Sequence, residues 1–466
     1  MSEYIQGYID RARAAQAEAE RWSQAEADRA VNAVAKAIYD NAEDLARLAV
    51  DETGMGVVED KFAKNRNKAR MIAADLSTKK SVGVIGRDEA VGVTEIAKPV
   101  GVVAAITPVT NPIVTPMGNA MFSLKGRNAI VITPHHRAVR ASTRAVELMK
   151  AGLKGVGAPE HIIQIIGEQS RDNTQELIAS ADVVIATGGM GMVKAAYRSG
   201  KPALGVGAGN VQCIIGRDAD LTEAVPMIVD GRAFDNGIIC AAEQSIIFPA
   251  EMEGELIDAL AANRAACLPR DPEAVSSLRD ALFTEDGMNR HLVGQSAQAV
   301  AAAAGLAETA NANGPAAANS MAGIPADTRV IAVFADGAGA ADRLSGEKMC
   351  PVISLYPYET FDEAVAIAKA NLEYEGKGHS VSLHTGDEAH IEYAGTHLPV
   401  SRILVNQCCA TNAGGSFYNG LAPTNTLGCG SWGNNSISEN LTYKHLINIS
   451  RVATRLPDDR FAWFEL

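Results

Sequence analysis

The sequence predicts an α/β fold with doubly wound parallel sheets. From residue 99 onward, apolar runs at 102–106, 129–132 and 183–186 and the mainly apolar stretch 162–166 alternate with helical segments. Such runs are typical of strands buried on both faces, and the intervening helices are the crossovers that a parallel sheet requires. Because these sheets hold ligands beyond the carboxyl ends of their strands, we expect the functional residues to follow the apolar runs.

Helices and a hairpin precede the first predicted strand. Residues 3–50 and 41–76 place apolar side chains at helical spacing, with a break at Gly54. Short alternating runs interrupted by glycine predict a hairpin over residues 82–96.

A second α/β unit follows the first. The strand predicted at 213–215 is expected to be the last strand of the first unit. Residues 297–326 are dominated by Ala, Asn and Gly; their start can form a helix, and 309–326 is expected to be a surface insertion without assigned function. A helix is predicted over 360–370. The candidate strands of the second unit lie at 245–248, 329–334, 352–356, 381–384 and 403–406.

Composition and charge exclude several classes of protein. The formal charge of −13 and the pI near 5.3 argue against a nucleic-acid binder. We expect neither a membrane span nor secretion, because long apolar stretches are lacking and residues 1–30 are polar. The seven cysteines show neither CxxC pairing nor zinc-type spacing, so we expect a cytoplasmic protein with reduced thiols and no metal.

Four motifs carry the chemistry, and Cys240 stands in the first of them. Cys240 follows a turn and precedes the strand that opens the second unit, in the stretch FDNGIICAAEQS. A thiolate at such a junction can face a cleft and attack a carbonyl carbon. A buried structural cysteine is the alternative, and for an isolated cysteine it is the commoner one.

The other three motifs follow predicted strands. Asn111, in TPVTNP, is placed where a side-chain amide can donate to a developing oxyanion, although Asn-Pro alone is more often a turn. Gly188 and Gly189, in ATGGMG, open a helix whose N–H groups suit a pyrophosphate. The alternating glycines of GVGAGN, from Gly205, allow close approach to a ligand or merely to another strand.

Together these motifs resemble the aldehyde dehydrogenase superfamily, and within it the coenzyme-A-acylating branch. That branch includes acylating sulfoacetaldehyde and succinate-semialdehyde dehydrogenases and the aldehyde dehydrogenase half of bifunctional aldehyde–alcohol dehydrogenases. The resemblance implies two doubly wound Rossmann-type domains plus a small oligomerisation arm. It covers nearly the whole chain and is carried by ordered stretches at 106–112, 123–138, 183–210, 234–245, 347–352 and 426–447.

The resemblance divides the chain into three parts. Residues 1–232 are expected to form the nicotinamide-cofactor-binding domain, with the hairpin 82–96 in the oligomerisation arm. Residues 233–425 are expected to form the catalytic domain, and 426–466 to return to the cofactor domain and the arm. The arm implies a homodimer or a dimer of dimers.

The resemblance also implies roles for single residues. Cys240 matches the nucleophile that forms a hemithioacetal with the aldehyde and then a thioester. Asn111, together with the Cys240 backbone N–H, matches the pair that stabilises the oxyanion, and Glu347 matches the carboxylate that holds the nicotinamide ribose. The remaining implied cofactor-binding positions are Thr107, Pro108, Thr133, His135, His136, Arg137, Gly188, Gly189, Gly205, Val206 and Gly207.

A departure from the hydrolytic members of the superfamily predicts an acylating reaction. Hydrolytic members carry Glu-Leu-Gly-Gly, whose Glu activates water, whereas the matching residue here is Gly205. Without that base a thiol such as coenzyme A becomes the acyl acceptor, and a Glu at 205 is expected to raise acid formation without coenzyme A. His379 resembles a histidine of the acylating branch that deprotonates the thiol or positions substrate; a core role is the alternative.

The cofactor site departs from the common pattern as well. Many NAD-using members carry Lys-Pro-x-Glu, whose Glu holds the adenosine 2′-hydroxyl. The matching residues here are Thr133, Pro134, His135 and His136, followed by Arg137, so no carboxylate repels a 2′-phosphate. The sequence therefore favours NADP, with NAD as the alternative.

The resembling enzymes predict an anionic aldehyde, with sulfoacetaldehyde ahead of succinate semialdehyde. A carboxylate or sulfonate needs a donor such as Arg or a nest of backbone N–H groups. Arg232, just before the cysteine motif, is one candidate, and the loop residues Gly414, Gly415 and Ser416 are the others.

Three other functions stay open on the sequence alone. A hydrolytic dehydrogenase of the same fold is disfavoured by Gly205, and NAD(P)H formation without coenzyme A would reveal it. A cysteine acyltransferase of another class needs no nicotinamide, which the strand–Gly-Gly–helix motif argues against. A non-catalytic binding or assembly protein would hold Cys240, Asn111 and Glu347 together only by coincidence.

Overall fold

Two parallel sheets dominate the computed structural model, one of five strands and one of seven. Every strand pair within these two sheets is parallel. The α/β fold class predicted from the alternating apolar runs is therefore confirmed. The structure describes residues 2–285, 287–306, 308–309, 324–461 and 463.

Four helices and a hairpin precede the parallel sheets. They are α1 (Glu3–Ala19), α2 (Gln24–Asp40), α3 (Ala42–Thr53), α4 (Val58–Ser77), β1 (Gly83–Asp88) and β2 (Val93–Pro99). Ser2 and Ser23 cap the first two helices through their hydroxyl groups. Gly54 ends α3 at a φ of 66°, a left-handed conformation that favours glycine. The predicted helices, break and hairpin are all present.

The five-stranded sheet has the order β5-β4-β3-β6-β7. Its elements are β3 (Val102–Ile106), α5 (Val114–Lys125), β4 (Ala129–Thr133), α6 (Val139–Gly155), β5 (Ile163–Ile165), α7 (Arg171–Ser180), β6 (Val183–Ala186), α8 (Met190–Arg198) and β7 (Ala203–Gly205). All residues of β3, β4 and β6 are buried, because helices cover both faces of the sheet. The carboxyl ends of its strands therefore meet at one edge.

The seven-stranded sheet has the order β10-β15-β16-β9-β8-β17-β18. Its strands are β8 (Val211–Ile215), β9 (Glu243–Pro249), β10 (Ala265–Cys267), β15 (Val330–Phe334), β16 (Val352–Tyr358), β17 (Gly378–His384) and β18 (Val400–Val405). Its helices are α9 (Leu221–Ala233), α10 (Glu253–Ala262), α11 (Pro272–Leu282), α12 (Ala297–Ala303), α13 (Phe361–Tyr374), α14 (Glu388–His397) and α15 (Cys409–Asn412). Shorter strands are β11 (Phe283–Thr284), β12 (Gly287–Met288), β13 (Glu308–Thr309) and β14 (Ile324–Pro325).

The chain changes sheets earlier than the sequence predicts. β7 is the last strand of the five-stranded sheet, whereas β8 pairs with β9 and β17 in the seven-stranded sheet. The strand predicted at 213–215 as the end of the first unit thus belongs to the second, and the change lies at 206–210, ahead of the predicted boundary at 232. The reason is that an apolar run indicates a buried strand but not the sheet that it joins. Most of the predicted insertion at 309–326 lies outside the described residues.

The end of the chain returns to the hairpin. The last strand, β19 (Ile447–Ala453), pairs antiparallel with β2, which gives a three-stranded sheet of order β1-β2-β19. Val84, Val91 and Val452 of this sheet and its turn are exposed. We refer below to these three strands as the arm sheet.

Candidate active site

Cys240 lies where the link between the two sheets meets the start of β9. It follows a turn in which Asp235 and Asn236 both take a left-handed φ of 53°, and it is partly buried against an apolar cluster that includes Ala413. A Cβ on Gly209 would lie 1.8 Å from the Cys240 carbonyl oxygen. Only glycine permits this approach, so the GVGAGN motif packs directly against the cysteine.

The electrostatic surroundings keep Cys240 protonated in the free protein. Burial and the nearby carboxylate of Glu347 raise the pKa of the Cys240 thiol to about 12. Burial and Glu375 raise the pKa of the Glu347 carboxyl to about 8, while the Gly209 N–H donates to that carboxyl. Glu347 therefore lies near Cys240 and the GVGAGN motif, and its contact with the nicotinamide ribose stays a prediction.

The raised thiol pKa gives a testable pH dependence. Because the thiolate is the nucleophile and neutral pH lies far below its pKa, we expect Cys240 alkylation by iodoacetamide to rise about tenfold per pH unit between pH 7 and 9. The modification rate of Cys240, followed by peptide mass spectrometry, measures this. A rate that levels off below pH 8 would contradict it.

Asn111 follows β3 and is held by a lysine that sequence reasoning missed. The Lys64 ammonium donates to Asn111 Oδ1 at 2.7 Å. The Asn111 amide nitrogen makes a weak contact with Thr110 Oγ1 at 3.4 Å and keeps donor capacity for an oxyanion. The signal available in the sequence was a set of lysines at 61, 64 and 68, a spacing that places them on one face of α4.

Asp235 binds the same lysine and a second one. Its carboxylate accepts from Lys64 at 2.6 Å, from Lys61 at 2.9 Å and from the Val57 N–H at 2.9 Å. Burial alone would raise the pKa of Asp235, but Lys64 and Lys61 hold it below its usual value. We call Lys61, Lys64 and Asp235 the ion cluster; all three side chains are less than 10% exposed.

The predicted cofactor residues lie at the carboxyl edge of the five-stranded sheet. The Thr107 N–H donates to the Thr133 carbonyl, so the segments after β3 and β4 run side by side, and Pro108 continues from there. Thr107 Oγ1 is buried and has no hydrogen-bond partner among the described residues. Gly189 caps α8, and a Cβ on it would meet open space.

These features fit a phosphorylated nicotinamide cofactor. The unpartnered Thr107 hydroxyl offers a bond to a ligand, and the α8 N-terminus suits a pyrophosphate. A groove between α7 and α8, beside this N-terminus, is lined by the exposed cations Arg171, Lys194 and Arg198.

Two histidines that follow β4 stack on each other. The His135 and His136 rings stack with centroids 4.2 Å apart. Burial, with the charges of His136 and Arg137, lowers the pKa of His135 to about 4, so it is neutral at pH 7. The Arg137 guanidinium donates to the Thr53 carbonyl at 3.1 Å.

Arg232 does not serve as the anion donor that the sequence predicts. It is fully buried, and its guanidinium donates to the carbonyls of Gly237, Glu243, Lys348 and Cys350. The side chain therefore ties the turn before Cys240 to the segment after Glu347. It is structural because its planar donors converge on backbone acceptors of two loops, which a sequence pattern does not reveal.

The loop at Gly414, Gly415 and Ser416 also differs from the prediction of an N–H nest. The Gly415 N–H donates to the Asn412 carbonyl, and the Ser416 N–H donates to Asn419 Oδ1. The Gly414 carbonyl accepts instead from the Lys68 ammonium at 2.8 Å. The N–H groups of Gly415 and Ser416 are thus bonded within the loop, and the loop packs against the Lys68 ammonium of α4.

His379 is fully buried and unusually isolated. Neither ring nitrogen has a hydrogen-bond partner among the described residues. Burial and the charge of Arg402 lower the pKa of His379 to about 3. Arg402 donates to the His379 carbonyl and to the Gly428 carbonyl, so this arginine joins two backbone segments. A neutral imidazole with free nitrogens can accept a proton only weakly, so its part in thiol transfer stays a prediction.

Gly205 has no room for the glutamate of hydrolytic enzymes. A Cβ there would lie 2.7 Å from Val193 Cγ1 and 2.8 Å from Tyr197 Cε2, and the Gly205 N–H donates to the Tyr197 hydroxyl. Val206 is buried, and Gly207 lies next to Cys429. Because the side chains of Val193 and Tyr197 would both have to move, the geometry disfavours a Glu at 205 as a base in this backbone.

We expect Gly205→Glu to unfold at lower denaturant concentration without gaining acid formation. Displacing Val193 and Tyr197 costs about 1–3 kcal/mol, as for other overpacked cores. Urea unfolding followed by circular dichroism measures the loss. Gly254→Ala is the matched control, because a Cβ there meets open space within α10. A Gly205→Glu protein of wild-type stability that formed acid would contradict the expectation.

The structure also bears on the predictions about metal ions, membrane spans and the state of the thiols. In the part of the chain that the structure describes, no three His, Cys, Asp or Glu side chains are grouped closely enough to hold a metal ion. Across the same described ranges, no helix has both the length and the apolar character needed to cross a membrane. All seven cysteines are free thiols.

Comparisons with known proteins identify the family to which the chain is similar. A family model, "Aldehyde dehydrogenase family", matches residues 2–444. The chain is 50% identical over 448 residues to the succinate-semialdehyde dehydrogenase (acetylating) of Clostridium kluyveri, covering 96% of this chain and 95% of that protein. It is 37% identical over 456 residues to a sulfoacetaldehyde dehydrogenase of Acholeplasma sp, covering 96% and 90%.

Solved structures agree as well. An acetylating aldehyde dehydrogenase from Geobacillus thermoglucosidasius has a TM-score of 0.91 at 36% identity, covering 98% of this chain and 97% of that one. A Rhodopseudomonas palustris propionaldehyde dehydrogenase with bound CoA and an acylated cysteine has a TM-score of 0.82 at 27% identity, covering 97% of each chain. On the family model and these relatives, the chain belongs to the aldehyde dehydrogenase family.

Proposed function

We propose that this protein oxidises a small anionic aldehyde to its acyl-coenzyme A, with succinate semialdehyde as the first candidate. The observation that carries the acylating reaction is the site of Gly205, which is closed by Val193 and Tyr197. A nucleophilic cysteine without a glutamate at that position lacks the base that would direct water onto its thioester. The acyl group then leaves to a thiol.

The proposed reaction first places the acyl group on Cys240 and then transfers it to coenzyme A. The Cys240 sulfur adds to the aldehyde carbon, and the Asn111 amide with the Cys240 N–H holds the oxygen that becomes negative. A nicotinamide bound there would supply the acceptor for the hydride of that carbon, which would leave an acyl thioester on Cys240 and release the thiol proton of Cys240 to solvent. The coenzyme A sulfur then attacks the thioester, and Cys240 leaves as a thiolate that regains the proton of the incoming thiol.

The anionic substrate is supported by Lys68, which lies one helical turn beyond Lys64. Its ammonium donates to the carbonyls of Gly414 and Gly415 at 2.8 and 3.4 Å and has no carboxylate partner among the described residues. Burial and the charge of Lys64 lower the pKa of Lys68 to about 8. Gly414 follows Ala413, which shares an apolar cluster with Cys240. A third N–H of the ammonium remains for a carboxylate.

Two relatives support different aldehydes for this site. The relative named for succinate semialdehyde is 50% identical, against 37% for the one named for sulfoacetaldehyde. This difference moves succinate semialdehyde ahead of sulfoacetaldehyde, the first choice from sequence alone. Sulfoacetaldehyde remains the second candidate because its sulfonate would make the same kind of ion pair.

NADP is the proposed cofactor, with NAD as the alternative. No carboxylate stands at the positions after β4 that would repel a 2′-phosphate, and the groove beside the α8 N-terminus carries Arg171, Lys194 and Arg198. Cations of this kind bind phosphate through charge-assisted hydrogen bonds.

An aldehyde panel tests the proposed function. Succinate semialdehyde, sulfoacetaldehyde and butanal are assayed at equal subsaturating concentrations, with NAD or NADP and with or without coenzyme A. We expect NADPH and succinyl-coenzyme A to form fastest from succinate semialdehyde, and only when coenzyme A is present. Reduction that proceeds at the full rate without coenzyme A would show a hydrolytic enzyme, and strict dependence on NAD would contradict the cofactor proposal.

We expect Lys68→Met to remove the preference for the anionic aldehyde. Loss of one charge-assisted bond should lower kcat/KM for succinate semialdehyde about 10- to 100-fold. Butanal has the same carbon chain with a methyl in place of the carboxylate, so its kcat/KM should change less than about threefold. Lys36→Met, at an exposed lysine of α2, is the matched control. Equal losses on both aldehydes would contradict a carboxylate contact.

Assembly into a homodimer or a dimer of dimers is also proposed. The arm sheet supports it, because β1 is an edge strand and Val84, Val91 and Val452 are exposed on or beside that sheet. Light scattering coupled to gel filtration tests it, and a monomer at micromolar concentration would overturn it.

A further inference from the structure

We infer that Lys64 is a positioning residue that fixes the orientation of the Asn111 amide toward the reacting carbonyl oxygen. The inference rests on the proposed function, because it concerns the oxyanion formed when Cys240 attacks an aldehyde. The geometry that carries it is the 2.7 Å hydrogen bond from the Lys64 ammonium to Asn111 Oδ1.

The chemistry of an ammonium decides which way the amide points. Lys has N–H donors and no acceptor, whereas an amide has one oxygen that accepts and one nitrogen that donates. Lys64 can therefore bind only the oxygen of Asn111, and the NH₂ group must point to the other side. A side-chain amide that was free to rotate by 180° would present its oxygen to the oxyanion half of the time, and two oxygens would repel each other.

The ion cluster holds Lys64 in place. Lys64 also donates to Asp235 Oδ2 at 2.6 Å, and this carboxylate is completely buried. Lys61 donates to the same oxygen at 2.9 Å from one turn earlier on α4. Buried, paired charges have few alternative partners, so the Lys64 side chain has one geometry.

The cluster also joins the segments that carry the two reacting groups. Asp235 lies in the left-handed turn five residues before Cys240, and Asn111 lies in the loop after β3. Lys64 contacts both segments and belongs to neither, because it projects from α4. A single ammonium thus links the turn that places the sulfur to the amide that receives the oxygen.

Lys64→Met tests the inference through two reactions of the same thiol. Aldehyde addition creates a negative oxygen, whereas alkylation by iodoacetamide displaces iodide and needs no oxyanion donor. We expect kcat/KM for the aldehyde to fall about 100-fold, the scale of a lost oxyanion donor. Cys240 alkylation should stay within about twofold of the wild-type rate. Lys64→Gln, whose amide can donate to Asn111 Oδ1, should regain about tenfold of the loss.

A double-mutant cycle separates positioning from a general structural role. If Lys64 acts through Asn111, adding Lys64→Met to Asn111→Ala should lower the remaining aldehyde rate less than about threefold. Lys125→Met is the matched control, because it removes a different buried lysine that pairs with Asp28. It should leave kcat/KM unchanged.

The outcomes have distinct meanings. The inference is overturned if Lys64→Met lowers the aldehyde rate equally in both backgrounds, slows alkylation in parallel, or leaves the aldehyde rate intact. If the wild-type protein reduces neither nicotinamide with any aldehyde, the proposed function itself fails. A large loss on aldehyde alone, absent in the Asn111→Ala background, supports the inference.

Discussion

Cys240→Ala is expected to abolish coenzyme-A-dependent reduction of NADP, with a loss of at least about 10³-fold in kcat. A loss of that size corresponds to about 4 kcal/mol of transition-state stabilisation. The reason is covalent: without the sulfur neither the hemithioacetal nor the thioester forms, and alanine offers no other nucleophile. The measurement is the initial rate of NADPH formation with succinate semialdehyde and coenzyme A.

The control for this variant is another partly buried cysteine outside the site. Cys267 lies in β10, at the edge of the seven-stranded sheet, and burial raises its pKa to about 12, as for Cys240. Cys267→Ala should keep wild-type activity, so the comparison removes any general effect of losing a thiol. A Cys240→Ala protein with the wild-type rate would end the proposed mechanism, whatever the identity of the aldehyde.

Arg232→Met is expected to lower the free energy of unfolding by about 3 kcal/mol or more. The substitution leaves the carbonyls of Gly237, Glu243, Lys348 and Cys350 without their shared donor, and each buried unpaired acceptor costs about 1–3 kcal/mol. Gly237 precedes Cys240 in the chain and Glu243 follows it, whereas Lys348 and Cys350 follow Glu347. The enzymatic activity of the Arg232→Met protein should fall in proportion to the fraction of protein that is folded. Urea unfolding at pH 7.5, followed by circular dichroism, gives the value.

Arg140→Met provides the comparison for the arginine prediction. Arg140 is 64% exposed and pairs with the exposed Asp51, so its loss should change the stability by less than about 0.5 kcal/mol. A result in which Arg232→Met was fully stable and raised KM only for anionic aldehydes would contradict the structural role. It would instead support the substrate contact that the sequence suggested.

The sequence was sufficient for the elements that local pattern controls. Continuous apolar runs marked strands such as Val102–Ile106 and Val183–Ala186, because each strand is buried on both faces and carries its signal in consecutive residues. The glycine at 54 marked the end of a helix, because glycine readily takes the left-handed φ found there. Cys240, Asn111 and Gly188 were found because each follows or precedes such an element.

Contacts between distant segments were beyond that reasoning. Lys64 lies 47 residues before Asn111 and 171 before Asp235, and most lysines of an amphipathic helix are solvated. The strand predicted at 213–215, which is Val211–Ile215 in the structure, was assigned to the first sheet instead of the second, because strands of both sheets are equally buried. Arg232 was read as an anion donor because the sequence gives no sign of the four carbonyls around it.

The sequence by itself determined the fold class and many of the strands and helices in their order. These follow from residue type and spacing, which set burial and backbone conformation within a short stretch. The prediction of Cys240 as the nucleophile, and of a missing base at Gly205, comes from the resemblance to the aldehyde dehydrogenase superfamily. Only the tertiary structure decided that a side chain at Gly205 would meet Val193 and Tyr197, that Arg232 supports two loops, and that Lys64 binds Asn111. Those properties depend on which side chains meet across the sheets, and the free energy of such contacts is set by atoms far apart in the chain.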